Sequence, residues 1–317
     1  MNYFIYIFVI IFIQLIYLQI ARKYSIVDRP NSRSSHDDDI IRGSGIIYPI
    51  SLLLWFVSNG YYLKYFIIGL LLVSIISFLD DVFDLKQIYR LSIHLISTFF
   101  IFYQLELLEF PLYLIIITVI LIIGWLNAFN FMDGINGITI FYTLVNLFTL
   151  YFVNADYNFI DGQIIIYTII PVVLFSFLNL RTKAVAFGGD VGSFSLSFIL
   201  AFLMTSLILK TGNISYILFF SVYGIDTVFT IFERLYKKEN IFIAHRNHLF
   251  QLLSNEMKFH FLKVSMLYSI IQLIINIMLI LYIIPNENRI VLSSLILILM
   301  SLAYLFIKYK IKLKLLI

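Results

Sequence analysis

Asn127-Ala-Phe-Asn-Phe-Met-Asp-Gly-Ile-Asn-Gly137 sets an aspartate, three asparagines and two glycines between two runs apolar enough for lipid. The glycines mark a turn, and the amides and carboxylate give it a polarity that a plain connection between membrane helices does not need. The flanking sequence decides the fold class. Of the 317 residues 62% are apolar and 13% charged, with a mean hydropathy of +0.98. Soluble domains carry about 25% charged residues, so the chain reads as an all-α, polytopic integral membrane protein. It has no cysteine, which excludes disulfides, thiol catalysis and zinc-thiolate sites.

A hydrocarbon core of roughly 30 Å takes about 20 apolar residues per helix, and in lipid a helix satisfies its own backbone. Eleven spans are predicted, at about 2 to 21, 45 to 59, 63 to 79, 91 to 108, 111 to 129, 136 to 153, 162 to 180, 191 to 209, 214 to 232, 261 to 284 and 290 to 307, with turns at Gly60, Pro111 and Asn286. The first run lacks the basic leader and small-residue cleavage site of a signal peptide and is read as a span. If the N-terminus is outside, nineteen Lys and Arg fall on inner segments and only Lys64, Lys210 and Arg289 on outer ones. Cytoplasmic loops retain such residues. The expectation is therefore N-terminus out, C-terminus in, one domain over 1–317, and cytoplasmic loops at about 22–44, 80–90, 130–135, 181–190 and 233–260.

With that orientation every polar cluster lands on the cytoplasmic side. They are Asp28-Arg-Pro-Asn-Ser-Arg-Ser-Ser-His36 with Arg42-Gly-Ser-Gly45, Asp80-Asp81 with Asp84, the opening stretch, Phe187-Gly-Gly-Asp-Val-Gly-Ser193, and His245-Arg-Asn-His248. Carboxylates with neighbouring asparagines suit a hard, oxygen-ligated cation such as Mg²⁺, which shares its coordination with substrate phosphates. Arginines suit a phosphorylated ligand because their fork grips phosphate oxygens. Together these groups point to phosphoryl transfer, where catalysis is positioning and charge neutralisation.

Plainer readings stand beside these. Asp80 and Asp81 are also what a solvated helix end looks like, although Leu79 is still embedded. Asp190 is placed to cap a helix starting at Val191, a role compatible with anion or metal binding. The basic runs at 234 to 238 and 308 to 314 read as topology and headgroup contacts. His36, His94 and His260 read as packed or interfacial histidines. Asp226 sits inside the ninth span, where a carboxylate is a functional suspect; a structural role holding the helix that feeds His245-Arg-Asn-His248 is favoured.

Taken in order, the five clusters, the last running Ala244-His-Arg-Asn-His-Leu-Phe-Gln251, resemble the polyprenyl-phosphate N-acetylhexosamine-1-phosphate transferases of glycosyltransferase family 4. The resemblance spans the first loop to Gln251 and is closer to the O-antigen initiating branch than to the peptidoglycan translocase, which carries a triple histidine in the last loop. It implies transfer of an N-acetylaminosugar-1-phosphate from a UDP-sugar to polyprenyl (undecaprenyl) phosphate, with release of UMP, at the cytoplasmic face of the inner membrane. It implies Mg²⁺, or Mn²⁺ in its place, on Asp190 and Asn130. Asp80 and Asp81 would lie near the lipid phosphate and, with Asp190, form the catalytic set. Asn127 would be substrate-binding, Asp133 and Asn136 would lie near the nucleotide, and His245, Arg246 and His248 would meet the diphosphate and sugar. Asn136 stands where many relatives have aspartate. The resemblance further implies a bent ninth helix, which Gly224 would permit, and a homodimer; nucleic acid is not an expected partner. Two other readings are the peptidoglycan translocase acting on a muramyl-pentapeptide nucleotide, and a secondary transporter for an anionic solute. The charges gathered at one face, rather than at a midplane between repeats, speak against the transporter.

Overall fold

The computed structural model describes residues 3–30, 38–240 and 246–315. It is a helical bundle of α1 (Tyr3–Lys23), α2 (Ile47–Ser58), α3 (Lys64–Phe83), α4 (Gln87–Gln104), α5 (Leu112–Met132), α6 (Ile138–Tyr157), α7 (Gly162–Asn179), α8 (Gly189–Thr211), α9 (Ser221–Tyr236), the short α10 (Leu249–Gln251), α11 (Phe261–Met278) and α12 (Arg289–Leu315). Among the described residues nine helical stretches are long and apolar enough to cross a membrane. The other two predicted spans correspond to the short α2 and to α4, whose first turns are polar. The expected turns are present: Gly60 takes a left-handed φ of 68° between α2 and α3, Pro111 precedes α5, and the Asn286 side chain accepts from Asn288 N–H before α12. A two-stranded antiparallel ribbon, β1 (Val27–Asp28) with β2 (Ile40–Ile41), is the departure from an all-α chain.

Two helix ends differ from expectation in a way that matters. Hydropathy stops a span at its first charge, yet α3 continues through Asp80 and Asp81 to Phe83, and α5 continues through Asn130 to Met132. Their polar groups find protein partners, so the helix has no reason to end. The loops after α3 and α5 are correspondingly shorter, and the polar side chains Asp80, Asp81 and Asn130 stand on helix rather than on loop.

Helix α8 is the axis of the bundle; 89% of its most apolar 18-residue window is buried, so neighbours surround it. Small residues make this close approach achievable where hydrophobicity alone cannot drive helices together. Ser74 of α3 meets Ser195 at 2.8 Å, and Gly69 leaves room for the Phe198 ring. Phe66 stacks on Phe202 with centroids 4.0 Å apart, and Trp125 donates to the Ser197 carbonyl at 3.0 Å while stacking on Phe220 at 3.8 Å. Gly45 and Gly192 touch backbone to backbone, so a Cβ on Gly45 would collide with Gly192 Cα.

The ninth span changes helix type rather than bending at Gly224. A 3-10 stretch, Ile214–Phe220, gives way to α-helix at Ser221, and Gly224 lies within the regular part. The groups freed at that junction are met by Gln272 of α11, which accepts from Val222 N–H at 3.0 Å and donates to the Leu218 carbonyl at 2.9 Å. Lipid would leave both unsatisfied, which explains a fully buried glutamine.

Candidate active site

Three helix ends and one loop meet at the same end of the bundle. The loop comes first. Phe187 N–H donates to the Ile41 carbonyl at 2.7 Å, while Ser44 and Gly45 N–H donate to the Phe187 and Gly188 carbonyls at 3.0 and 2.9 Å. This zips the Ile40–Ile41 strand to the segment preceding α8 and delivers Arg42 to the start of that helix. Gly43 takes a φ of 75° there, and a Cβ would run into Tyr17.

The start of α8 is then capped from another helix. Asp81 Oδ1 accepts Asp190 N–H at 2.8 Å and Oδ2 accepts Val191 N–H at 3.0 Å. Those are the donors a helix start leaves orphaned, and such a cap contributes about 1 kcal/mol. Asp190 therefore does not cap its own helix, as its position suggested. Its carboxylate is free to face outward, half-shielded in the first turn of α8, where the helix dipole favours negative charge.

Two arginines hold that carboxylate. Arg42 Nη2 lies 3.3 Å from Asp190 Oδ1 and its Nε 2.6 Å from Asp81 Oδ1. Arg90, from the first turn of α4, reaches Asp190 Oδ2 at 2.8 Å and also pairs closely with Asp80 Oδ2. Asp80 Oδ1 accepts Leu85 N–H at 2.7 Å. With all five ionised, three carboxylates and two guanidiniums leave one net negative charge. Burial works against the charge on Arg42, but Asp81 and then Asp190 more than offset it and hold its pKa above the usual arginine range.

In front of this cluster opens a cleft of about 860 Å³. Asp190, Asn130, Asp133, Asn136, Arg42 and Ser193 are on its walls; Asp80 and Asp81 stand behind Asp190. Asn130 Nδ2 lies 3.2 Å from Asp190 Oδ1 and 2.9 Å from Ser193 Oγ. Asp133, just past α5, opens onto the cleft and accepts from the Thr139 hydroxyl. The protein crowding its carboxyl pushes the pKa up to about 6, against the Thr139 hydrogen bond and with a contribution from the Asp190 charge. Asn136 donates to the Arg181 carbonyl at 3.0 Å. Gly137, at a φ of 83°, gives its N–H to Asn179 Oδ1 at 2.8 Å, so the turn after α5 is held by a side chain from the end of α7.

Other expected members lie elsewhere. Asn127 donates to the Ile123 carbonyl of its own helix at 2.8 Å and is not on the cleft, because the continuation of α5 carries it one turn deeper than Asn130. His248 is buried, 1% exposed, with Nδ1 3.2 Å from Asp226 Oδ1, so it serves the helix start below it rather than the cleft wall. Asp226 also accepts Leu249 N–H at 3.0 Å, the structural role expected of it. Arg246 is half-buried and off the cleft wall, whereas Gln251 and Asn255, just beyond the same loop, line it. His36 and His245 lie outside the described residues. His94 packs on the Phe194 ring with centroids 4.4 Å apart. Arg234 and Lys308, read from sequence as headgroup contacts, are both buried, each 4% exposed. Arg42 was legible as part of a polar cluster and Arg90 only as a topology marker; the proximity of either to Asp190 had no local signal.

Among the described residues no three acidic or histidine side chains converge as a self-sufficient metal cage. The donors on the cleft still fit Mg²⁺. Asp190 supplies carboxylate oxygens, the Asn130 amide presents oxygen in place of nitrogen after a half-turn, and Mg²⁺ characteristically takes its other ligands from water and phosphate.

Fold and site together define a polytopic helical membrane protein with its ionisable chemistry gathered at one end of the bundle. The sequence profile described as Glycosyl transferase family 4 matches residues 63–208, the segment that supplies Asp80, Asp81, Arg90, Asn130, Asp133 and Asp190, so this part of the chain is similar to that family. It is 25% identical over 256 residues to a probable undecaprenyl-phosphate N-acetylglucosaminyl 1-phosphate transferase of Bacillus subtilis, covering 73% of this chain and 70% of the relative. An undecaprenyl-phosphate alpha-N-acetylglucosaminyl 1-phosphate transferase of Thermotoga maritima is 26% identical over 242 residues, covering 74% and 75%. Its namesake in Escherichia coli K12 is 25% identical over 264 residues, covering 74% and 71%.

Proposed function

We propose that the protein transfers an N-acetylaminosugar-1-phosphate from a UDP-sugar to undecaprenyl phosphate, giving the lipid diphosphate sugar and UMP, as the initiating step of a cell-envelope glycan. The observation that carries this is the convergence of Asp80, Asp81, Asp190, Arg42 and Arg90 at one end of an apolar bundle, opening on a cleft large enough for a nucleotide sugar. A lipid phosphate lies at headgroup level and a nucleotide sugar in the cytosol, so both reach such a site from opposite sides. The names of the relatives support the lipid acceptor and the N-acetylglucosaminyl donor.

Among the described residues eighteen of the 21 Lys and Arg fall on segments at the cleft end of the chain's alternating helices, which supports a cytoplasmic cleft, an external N-terminus and eleven spans, α2 and α4 included. The membrane would be the cytoplasmic one.

In the reaction an oxygen of the lipid phosphate attacks the β-phosphorus of the donor. The bond from that phosphorus to the bridging oxygen breaks, and UMP leaves with the bridging oxygen. A phosphate monoester with a second pKa near 6 is largely ionised at neutral pH, so the acceptor needs little deprotonation. The demand is charge neutralisation. Arg42 and Arg90 are the groups available, since each can exchange Asp190 for phosphate oxygens. Asp81 keeps the α8 start, and hence Asp190, in place. Asp133 would accept a uracil N–H, and Asn136 would donate or accept beside it. Bound at Asp190 and Asn130, Mg²⁺ would supply Lewis-acid neutralisation of the diphosphate.

The test is purified protein in detergent with undecaprenyl phosphate, Mg²⁺ and, in turn, UDP-GlcNAc, UDP-GalNAc, UDP-FucNAc and UDP-QuiNAc. UMP release that requires the lipid is expected with at least one donor. No UMP with any of them, or solute uptake by proteoliposomes without UMP, contradicts the proposal.

A further inference from the structure

We infer that the last helix, α12, is a positioning element of this transfer site, acting through Tyr304 and Lys308 on Asp226 and thence on the helix start that brings Gln251 and Asn255 to the cleft; the inference rests on the transfer reading above.

Helix α12 has few buried residues, and three of them, Tyr304, Lys308 and Ile311, form one stripe near its inner end. The spacing of four and three residues puts them on one helix face. Lys308 Nζ donates to Tyr304 Oη at 2.9 Å and to Thr230 Oγ1 at 2.8 Å, with Glu233 Oε2 at 3.3 Å. An ammonium only donates, so Tyr304 must accept from Lys308 and turn its own proton to Asp226 Oδ1, 3.0 Å away. Asp226 in turn takes Tyr268 Oη at 2.7 Å and Leu249 N–H at 3.0 Å and faces His248 Nδ1. These bonds form one connected path from Lys308 through Tyr304 and Asp226 to the Leu249 amide.

The far end of this chain reaches the cleft. Leu249 begins α10, whose next residue, Phe250, packs against Gly134 in the turn after α5; a Cβ on Gly134 would stand 3.1 Å from that ring. Gln251 accepts from His248 N–H at 3.3 Å and lines the cleft, as does Asn255. Moving the Asp226 carboxylate therefore moves a cleft wall. Lipid headgroup contact explains none of this, since Tyr304 and Lys308 are 7% and 4% exposed.

Tyr304→Phe removes one oxygen and keeps the ring that stacks on Phe229; Lys308→Gln removes the charge should the first variant fail to fold. Hydrogen exchange by mass spectrometry on the full-length protein is expected to rise about tenfold across 246–256 and to stay unchanged in α3 and α8. UMP release is expected to lose about tenfold in kcat with an unchanged KM for the lipid, and Lys308→Arg should recover most of it. Exchange or turnover like the wild type in both variants overturns the inference. Absence of UMP from the wild type would instead sink the transfer reading, and the exchange measurement would still decide whether α12 holds the loop.

Discussion

The chain keeps carboxylates in two very different settings within the bundle. Asp226 is saturated: a tyrosine hydroxyl on Oδ2, and a second tyrosine, a backbone amide and His248 on Oδ1, with 1% of the residue exposed. Asp190 has partners too, but they are arginines whose side chains remain partly exposed, and it looks onto a cleft. A buried acceptor whose fixed donors are all in place has nothing left to offer a ligand and is costly to disturb. A carboxylate held by guanidiniums on an open wall can trade them for a cation, and the guanidiniums can trade it for phosphate. Residue type alone does not separate structure from chemistry in a membrane protein; exchangeability of the partners does.

The comparison can be broken in several ways. The largest effect is expected from Asp190→Asn, which should lower UMP release about 10³-fold, the scale lost when a charge-stabilising group is removed, with the melting temperature almost unmoved. Equal loss of stability and activity would place Asp190 with Asp226. Asp226→Ala should do the opposite, costing about 3 kcal/mol because several buried donors lose their acceptor; a thermal melt of the purified protein reads this directly, and an unchanged melt would contradict it. A smaller effect concerns Asp133, whose pKa of about 6 leaves it ionised above that pH and protonated below. Uridine has no phosphate to titrate, so its affinity should fall about tenfold from pH 7 to pH 5, roughly one decade per pH unit below the pKa, and stay flat in Asp133→Asn. The smallest effect is expected at Asn127, which lies off the cleft: Asn127→Ala should change turnover less than about twofold, and a larger loss would return it to the site.

Much of this arrangement was legible from sequence because polar residues are conspicuous in an apolar chain. Asp190, Asn130 and Asp133 stood out for that reason, and Asp226 was legible as a support for the loop beyond it. What sequence could not show is which partner each polar group finds. Asp81 caps α8 from α3, and the hydrogen bonds that reveal this join residues 109 and 110 positions apart. Arg90 looked like a topology marker, and Lys308 looked like one of four headgroup lysines, because charge counts say which side of a membrane a residue occupies and nothing about what it touches. Helix ends failed for a related reason: hydropathy ended α3 before Asp80, whereas the helix runs on once those carboxylates are paired.

The central claim is that the phosphorus next to the sugar moves with it. UDP-GlcNAc, or whichever donor is turned over, carrying ³²P in the β-phosphate should be incubated with the purified protein, Mg²⁺ and undecaprenyl phosphate, and the phases separated. Transfer at this cleft predicts label in the lipid phase and unlabelled UMP in the water. Label remaining in the aqueous phase as UDP, with or without sugar on the lipid, would contradict it.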